Sequence, residues 1–240
     1  MSRNFELLKQ LEIEVDGTDH SPLPTVERLV GNKISLSDAD EEMLRLVQSV
    51  FLTAAGRSLR EVVFCGVDEE LGSSAVCASA GVALAASGSQ SICLVDANVR
   101  SPRLSGLFGI DASILPSDKP ANVREQCVQI SGNLWLAKAE LLTDDRGSLV
   151  SGEHLKHTLA QLKGMHDYLL IDAPGTTVNR DAVILGQLAD AAILVIEANL
   201  TRKLAARKAK ETFDAVGVRL LGTILNNRTF AIPESIYRRL

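Results

Sequence analysis

Cysteine, aromatic residues, long apolar runs and basic charge are all in short supply here, and each shortage removes a class of protein. The four cysteines, Cys65, Cys77, Cys93 and Cys127, show no CxxC spacing. That argues against a disulfide framework or thiolate metal centre, and for small core hydrophobes in a reducing compartment. No apolar stretch reaches the ~18–20 residues that a membrane-crossing helix needs. The start, Met1-Ser2-Arg3-Asn4-Phe5-Glu6, carries charge where a secretion signal has an apolar core. Lys and Arg number 25 against 30 Asp and Glu, a net charge of −5. Nucleic acid is therefore not an expected partner. What is present, 46% hydrophobic and 23% charged residues over 240 positions, suits one large α/β domain with a sizeable core.

Residues 1–36 read as an N-terminal extension and linker. Phe5 to Leu11 could form a short amphipathic helix, and Asp16 to Pro24 is rich in turn formers. The domain is expected over 37–240. It opens with Ser37-Asp38-Ala39-Asp40-Glu41-Glu42, which supplies a cap and first-turn acids for a helix. Met43, Leu44, Val47, Val50, Phe51 and Leu52 continue it at a 3.6-residue period. From Glu61 strands and helices alternate. Strands are expected at Val62–Cys65, Ser91–Asp96, Leu134–Ala137, Tyr168–Asp172, Ala191–Glu197 and Leu220–Asn226. Helices are expected at Ala75–Ser87, Leu149–Lys163, Asp181–Leu188 and Arg202–Val216. Apolar runs such as Ile92-Cys93-Leu94-Val95 and Ala192-Ile193-Leu194-Val195-Ile196 are what a sheet covered on both faces requires. The fold class is thus α/β, a doubly wound, mostly parallel sheet of the P-loop NTPase-like kind, with ligands at the carboxyl ends of the strands.

Three strand ends carry the chemistry. The first runs from Glu61-Val62-Val63-Phe64-Cys65 into Gly66-Val67-Asp68-Glu69-Glu70-Leu71-Gly72-Ser73-Ser74 and a helix of small residues. Strand, glycine loop and helix N-terminus form a phosphate cradle. The pattern wants Gly-Lys-Ser/Thr at the turn, but Gly72 is followed by Ser73 and Ser74, and Glu69 and Glu70 stand where phosphate charge would lie. The second end is Asp96-Ala97-Asn98-Val99-Arg100-Ser101-Pro102-Arg103-Leu104, and the third is Asp172-Ala173-Pro174. A strand-end aspartate beside a phosphate loop is how Walker-type ATPases hold magnesium. Elsewhere bland readings suffice: His154 and His157 read as surface residues, Asp144 and Asp145 as a loop, and the Arg202, Lys203, Arg207, Lys208, Lys210 run as the wet face of a helix.

Taken together these residues resemble the bacterial tyrosine kinases of capsule and exopolysaccharide assembly, within the ParA/MinD-like ATPase superfamily. Asp96, Arg100, Pro102, Leu104, Phe108 and Gly109 match the second Walker motif of that family, with Asn98 for its second aspartate. His166-Asp167-Tyr168-Leu169-Leu170-Ile171-Asp172-Ala173-Pro174 matches Walker B, whose pattern ends Asp-Thr-Pro-Pro. Glu42-x-x-Arg45-x-x-Gln48 is similar to the family's ring-assembly motif, with its last arginine changed. The resemblance spans residues 35 to 227. It implies catalytic roles for Asp96, Asn98 and Asp172, and nucleotide contacts for Gly66, Gly72, Ser73, Ser74, Ala75, Arg100 and Asn226, the last beside adenine. It implies metal ligation by Ser74, Asp96 and Asp172, and oligomerisation through Glu42, Arg45 and Gln48.

The departures fall on the working residues. Ser73 stands at the catalytic lysine, and only Tyr168 and Tyr237 are available as tyrosines. Losing a cation aimed at the γ-phosphate returns ~3–4 kcal/mol of barrier, judged by loss of one oxyanion donor. The resemblance therefore implies a pseudokinase or regulatory scaffold subunit. ATP or ADP with Mg2+ is its cofactor if nucleotide binding is retained. Expected partners are a membrane chain-length regulator (a polysaccharide co-polymerase), kinase-competent paralogues and further copies of the chain. The expected location is the cytoplasm, with recruitment to the inner membrane face by a partner. Two alternatives stand beside it. One is an active ATP-dependent kinase with a relocated cation, Lys138 or Arg103. The other is a ParA/MinD-type positioning scaffold.

Overall fold

The computed structural model describes residues 41–52, 59–69, 72–110, 122–150 and 152–227. The expected Phe5–Leu11 helix, the cap at 37–40, Glu70, Leu71 and Tyr237 lie outside them. Seven strands form one sheet in the order β3-β4-β2-β5-β1-β6-β7. They are β1 (Glu61–Gly66), β2 (Ile92–Asp96), β3 (Cys127–Ser131), β4 (Leu134–Ala137), β5 (Tyr168–Ala173), β6 (Ala191–Glu197) and β7 (Leu220–Asn226). All neighbours pair in parallel except β3, which runs antiparallel to β4 at one edge. The α/β expectation holds. Strand β3 is an addition that the sequence pattern did not suggest. Its side chains are only half buried or exposed, so it lacks the continuous apolar signature of the central strands.

The strands alternate strictly between two cores. On one face Val62, Phe64, Ile92, Leu94, Leu134, Leu136, Leu170 and Ile193 pack under α1 (Glu41–Val47) and α2 (Ser73–Ala86). On the other Val63, Cys65, Cys93, Val95, Leu169, Ile171 and Leu194 pack under α4 (Gly152–Met165), α5 (Asp181–Leu188) and α6 (Lys203–Ala215). Helix α3 (Leu104–Leu107) is a single turn after β2. Helix α1 ends in a π-helical turn, Gln48–Leu52, which seats Phe51 edge-on against Tyr168 with ring centroids 5.4 Å apart.

Two helix starts differ from expectation by more than one residue, for local reasons. Helix α4 starts at Gly152, not Leu149. Asp144 Oδ1 accepts from the backbone N–H groups of Arg146 and Ser148, closing a turn, and Leu149 bridges back to Thr143. Helix α2 starts at Ser73, not Ala75, because Gly72 takes the left-handed φ of 73° that turns the chain into the helix. Lys203, Arg207 and Lys208 are exposed on α6, and Lys210 pairs with Asp214 on its own helix at 2.6 Å. The wet-face reading of that run holds, as does the exposure of His154 and His157.

Candidate functional site

The strand alternation that builds the cores also aims two carboxylates at one place. Asp96, the last residue of β2, and Asp172, the last but one of β5, stand in register with each other across the β2–β5 pair, on the face covered by α2. Neighbouring strands stand about 4.8 Å apart, and both residues are 0% exposed. Asp96 Oδ2 accepts from the backbone N–H of Leu104 at 3.1 Å, where the chain curls into α3. Asp96 Oδ1 and both carboxylate oxygens of Asp172 have no hydrogen-bond partner.

The electrostatics follow from this crowding. Burial pushes the Asp96 carboxyl up to about 7, against the backbone amides of Leu104, Arg103 and Asn98 that pull it down. Burial, then the charge on Asp96, push Asp172 well above the usual carboxylate range. The nearby Ser74 hydroxyl and the Arg103 charge draw Asp172 back, without completing a bond to its oxygens. The Cys77 thiol, one helical turn beyond Ser74, is pushed up by burial and by both aspartates. Three unpartnered, buried carboxylate oxygens beside a serine hydroxyl form a hard-oxygen donor set that fits a divalent cation such as Mg2+.

The glycine loop closes the site from the β1 side. Gly72 caps α2 without a side-chain hydrogen bond, so the first N–H groups of the helix keep their orientation toward the cleft. A Cβ at Gly72 would lie 2.5 Å from Asn226 Nδ2, which places the end of β7 against the loop. Ser73 is half buried and Ser74 and Ala75 are buried. Gly66 ends β1, and Asn98 is 9% exposed just past Asp96. From Gly66 to Ser74 the chain carries no lysine or arginine.

The candidate residues therefore converge in part. Gly66, Gly72, Ser73, Ser74, Ala75, Asp96, Asn98, Asp172 and Asn226 share one end of the sheet. Arg100 is exposed, and its charge acts on Asp181 at the start of α5 rather than on the two aspartates. Glu42, Arg45 and Gln48 sit together on α1 and its π-helical turn, Glu42 buried and the other two exposed, each engaged with other residues. Lys138 is buried after β4 and also engaged.

A contact that sequence reasoning missed joins the β5 loop to the β1 loop. The N–H groups of Thr176 and Thr177 donate to the carbonyls of Gly66 and Val67, both at 3.0 Å. The Thr177 hydroxyl donates to Asp68 Oδ1 at 2.7 Å. A Cβ at Gly175 would lie 2.5 Å from the Asp68 carbonyl carbon, so the two backbones touch where only glycine fits. The signal was glycine at the place of the final proline in the Walker B pattern.

Comparison with known proteins bears on this geometry. A ParA family model, described as NUBPL iron-transfer P-loop NTPase, matches residues 68–238. The chain belongs to this family. P-loop NTPases generally bind nucleotide with Mg2+. The ParA-family chain is 26% identical over 210 residues to the tyrosine-protein kinase YwqD of Bacillus subtilis, covering 84% of this chain and 88% of that protein. It is 25% identical over 213 residues to the tyrosine-protein kinase CpsD of Streptococcus agalactiae serotype Ia, covering 87% and 89%. Its fold matches the crystal structure of the chimerical protein CapA2B2 with a TM-score of 0.69 at 18% identity, over 85% of this chain and 98% of the other. The chain is thus homologous to bacterial tyrosine kinases. No helix among the described residues is long and apolar enough to cross a membrane.

Proposed function

We propose that this chain is a pseudokinase or regulatory scaffold subunit of the bacterial tyrosine kinase type, serving exopolysaccharide or capsule biosynthesis. One observation carries the reading. Asp96 and Asp172 are buried side by side at one end of the sheet, while the loop from Gly66 to Ser74 carries no lysine or arginine that could face a γ-phosphate. In this reading Ser74, Asp96 and Asp172 hold Mg2+, the amides of Gly72 to Ala75 receive phosphate oxygens, and Asn226 lies beside the base. Bound Mg2+ would neutralise phosphate charge. Asp172 and Asp96 would orient it, and Asn98 would donate a hydrogen bond where an aspartate would have accepted one. Without a lysine at position 73, transition-state charge is under-compensated and phosphoryl transfer slows by roughly 10²–10³.

Residues 37–240 form the working domain and 1–36 a leading extension. Glu42, Arg45 and Gln48 contribute to association between copies or with kinase-competent paralogues, and a membrane chain-length regulator recruits the complex to the inner membrane face. The test is Mg2+-dependent ATP turnover and autophosphorylation of the purified chain and of Ser73→Lys. The proposal expects little or none from the former and a rise in the latter. Robust turnover by the unmodified chain would overturn it. A second reading, an active enzyme with a relocated cation, draws support from the Arg103 charge that acts on Asp172. In that case Arg103→Ala would abolish turnover.

A further inference from the structure

On the sheet face opposite the nucleotide cleft, three soft ligands meet. Cys93 in β2, Cys127 at the start of β3 and His166 in the turn from α4 to β5 bring one ligand atom each to within 4.8 Å of one another. We propose that they form a binding site for a thiophilic divalent cation, Zn2+ being the ion whose preferences they meet. This site is independent of nucleotide chemistry.

A disulfide is not the better explanation. Strands β2 and β3 are separated by β4, which puts the two Cα atoms about two strand spacings apart, beyond the ~7 Å that a disulfide spans. The sulfurs meet because both side chains point to the same face and lean together, an arrangement suited to a shared ion. Ligands about 2.3 Å (sulfur) and 2.0 Å (nitrogen) from a tetrahedral zinc stand roughly 3.5–3.8 Å apart. Closing separations of up to 4.8 Å by about 1 Å through side-chain rotation brings this cluster there.

The surroundings match as well. The Ser91 hydroxyl is 2.8 Å from His166 Nδ1. That holds the ring by one nitrogen and leaves Nε2 for a metal, as outer-shell partners of metal-binding histidines do. Trp135 covers the imidazole with ring centroids 5.9 Å apart. Cys93 is fully buried, Cys127 half buried and His166 8% exposed. Two thiolates, one neutral imidazole and a dication sum to zero charge, so the ion removes the cost of burying the sulfurs as anions. Cys127 borders solvent, the side from which water would fill a fourth coordination position. The bound ion would tie the antiparallel edge strand, which among the described residues pairs with β4 alone and is irregular between Gln129 and Ser131, to the sheet centre and to the end of α4.

The experiment is a Co2+ titration of the full, reduced chain, read by absorbance and followed by displacement with Zn2+. One equivalent should bind with thiolate-to-metal charge transfer and the intense visible bands of a four-coordinate ion, and Zn2+ should bleach both. Cys127→Ala, at a half-buried position, should fold with an unchanged circular dichroism spectrum and lose the charge-transfer band. Ser91→Ala should keep the band and weaken binding by about 10–100-fold. His154→Ala/His157→Ala should change nothing. A sulfur-free, six-coordinate spectrum, a charge-transfer band that survives Cys127→Ala, or no binding in the unmodified chain would each overturn the site. Should Cys127→Ala fail to fold, an unweakened Ser91→Ala would do the same.

Discussion

The two halves of the cleft have fared differently. On the β2–β5 side, Asp96 and Asp172 are backed by the central strands and packed against α2, with no exposure. On the β1 side, the loop from Gly66 to Ser74 has kept its backbone turn at Gly72 but holds Asp68, Glu69 and Glu70 in place of positive charge. Shape in the first half is a by-product of the core: Leu94, Val95, Leu170 and Ile171 dictate where the strand tips fall. In the proposed function, chemistry in the second half hangs on a single side chain at position 73 that the fold does not need. On the proposed reading a buried scaffold outlasts the function it served, because a serine at position 73 would slow phosphoryl transfer while leaving packing untouched.

The largest effect should come from supplying a cation to the β1 side. Ser73→Lys is expected to raise Mg2+-dependent ATP turnover by roughly 10²-fold, about 3 kcal/mol of barrier, measured by phosphate release. No change would mean that the loop no longer presents position 73 to a phosphate. Next is the seam between the halves. Gly175→Ala forces a Cβ into the Asp68 backbone and should destabilise the fold by about 2–3 kcal/mol in urea unfolding. A neutral result would show that the two loops are not in contact.

Relieving the acidic half should work in the opposite direction. Asp172→Asn removes a buried, unpartnered carboxyl whose ionisation burial opposes, and should stabilise the metal-free protein at pH 8 by about 1–3 kcal/mol. With Mg2+ and nucleotide present the same change should cost stability instead, if the oxygens are metal ligands. The pH dependence is the finest probe. Asp96 is shifted from its ordinary 3.8 to about 7, so between those values the folded state holds more protons than the unfolded chain. The contribution is fully present below about pH 4 and lost as pH climbs toward 7. The slope reaches at most ~1.4 kcal/mol per pH unit for one carboxyl. Asp172 pushes in the same direction. A stability that rises across this window in metal-free buffer, and is unaltered in Asp96→Asn, would show the carboxylates to be compensated.

What could be read from the sequence depended on burial. Strands such as Ile92–Asp96 and Ala191–Glu197 announce themselves because both faces are covered, and a terminal aspartate after an apolar run marks a strand tip at a site. Strand β3 could not be read this way. Cys127, Val128 and Ile130 are only partly covered, Val128 and Ile130 alternate with polar residues, and among the described residues pairing with β4 gives the segment its form. The start of α4 was obscured because Asp144 takes the backbone into a turn that helical periodicity does not register. Within the site, Ser73, Ser74, Asp96 and Asp172 were legible from spacing. The closeness of Gly175 to Asp68 was not, since two loops far apart in sequence meet only once β1 and β5 pair. The meeting of Cys93, Cys127 and His166 has the same origin: without local spacing, three strands must assemble before the ligands see one another.

The most direct measurement is a calorimetric titration of the purified chain with ATP and ADP, with and without Mg2+, supported by thermal shift, since a ligand adds RT ln(1 + [L]/Kd) to stability. A cleft that keeps its acids and its turn without its cation should bind in the millimolar range or not at all, with Mg2+ giving the larger part of any thermal shift. Micromolar, Mg2+-dependent ATP binding by the unmodified chain would contradict this and would require a cation elsewhere to have taken over the phosphate.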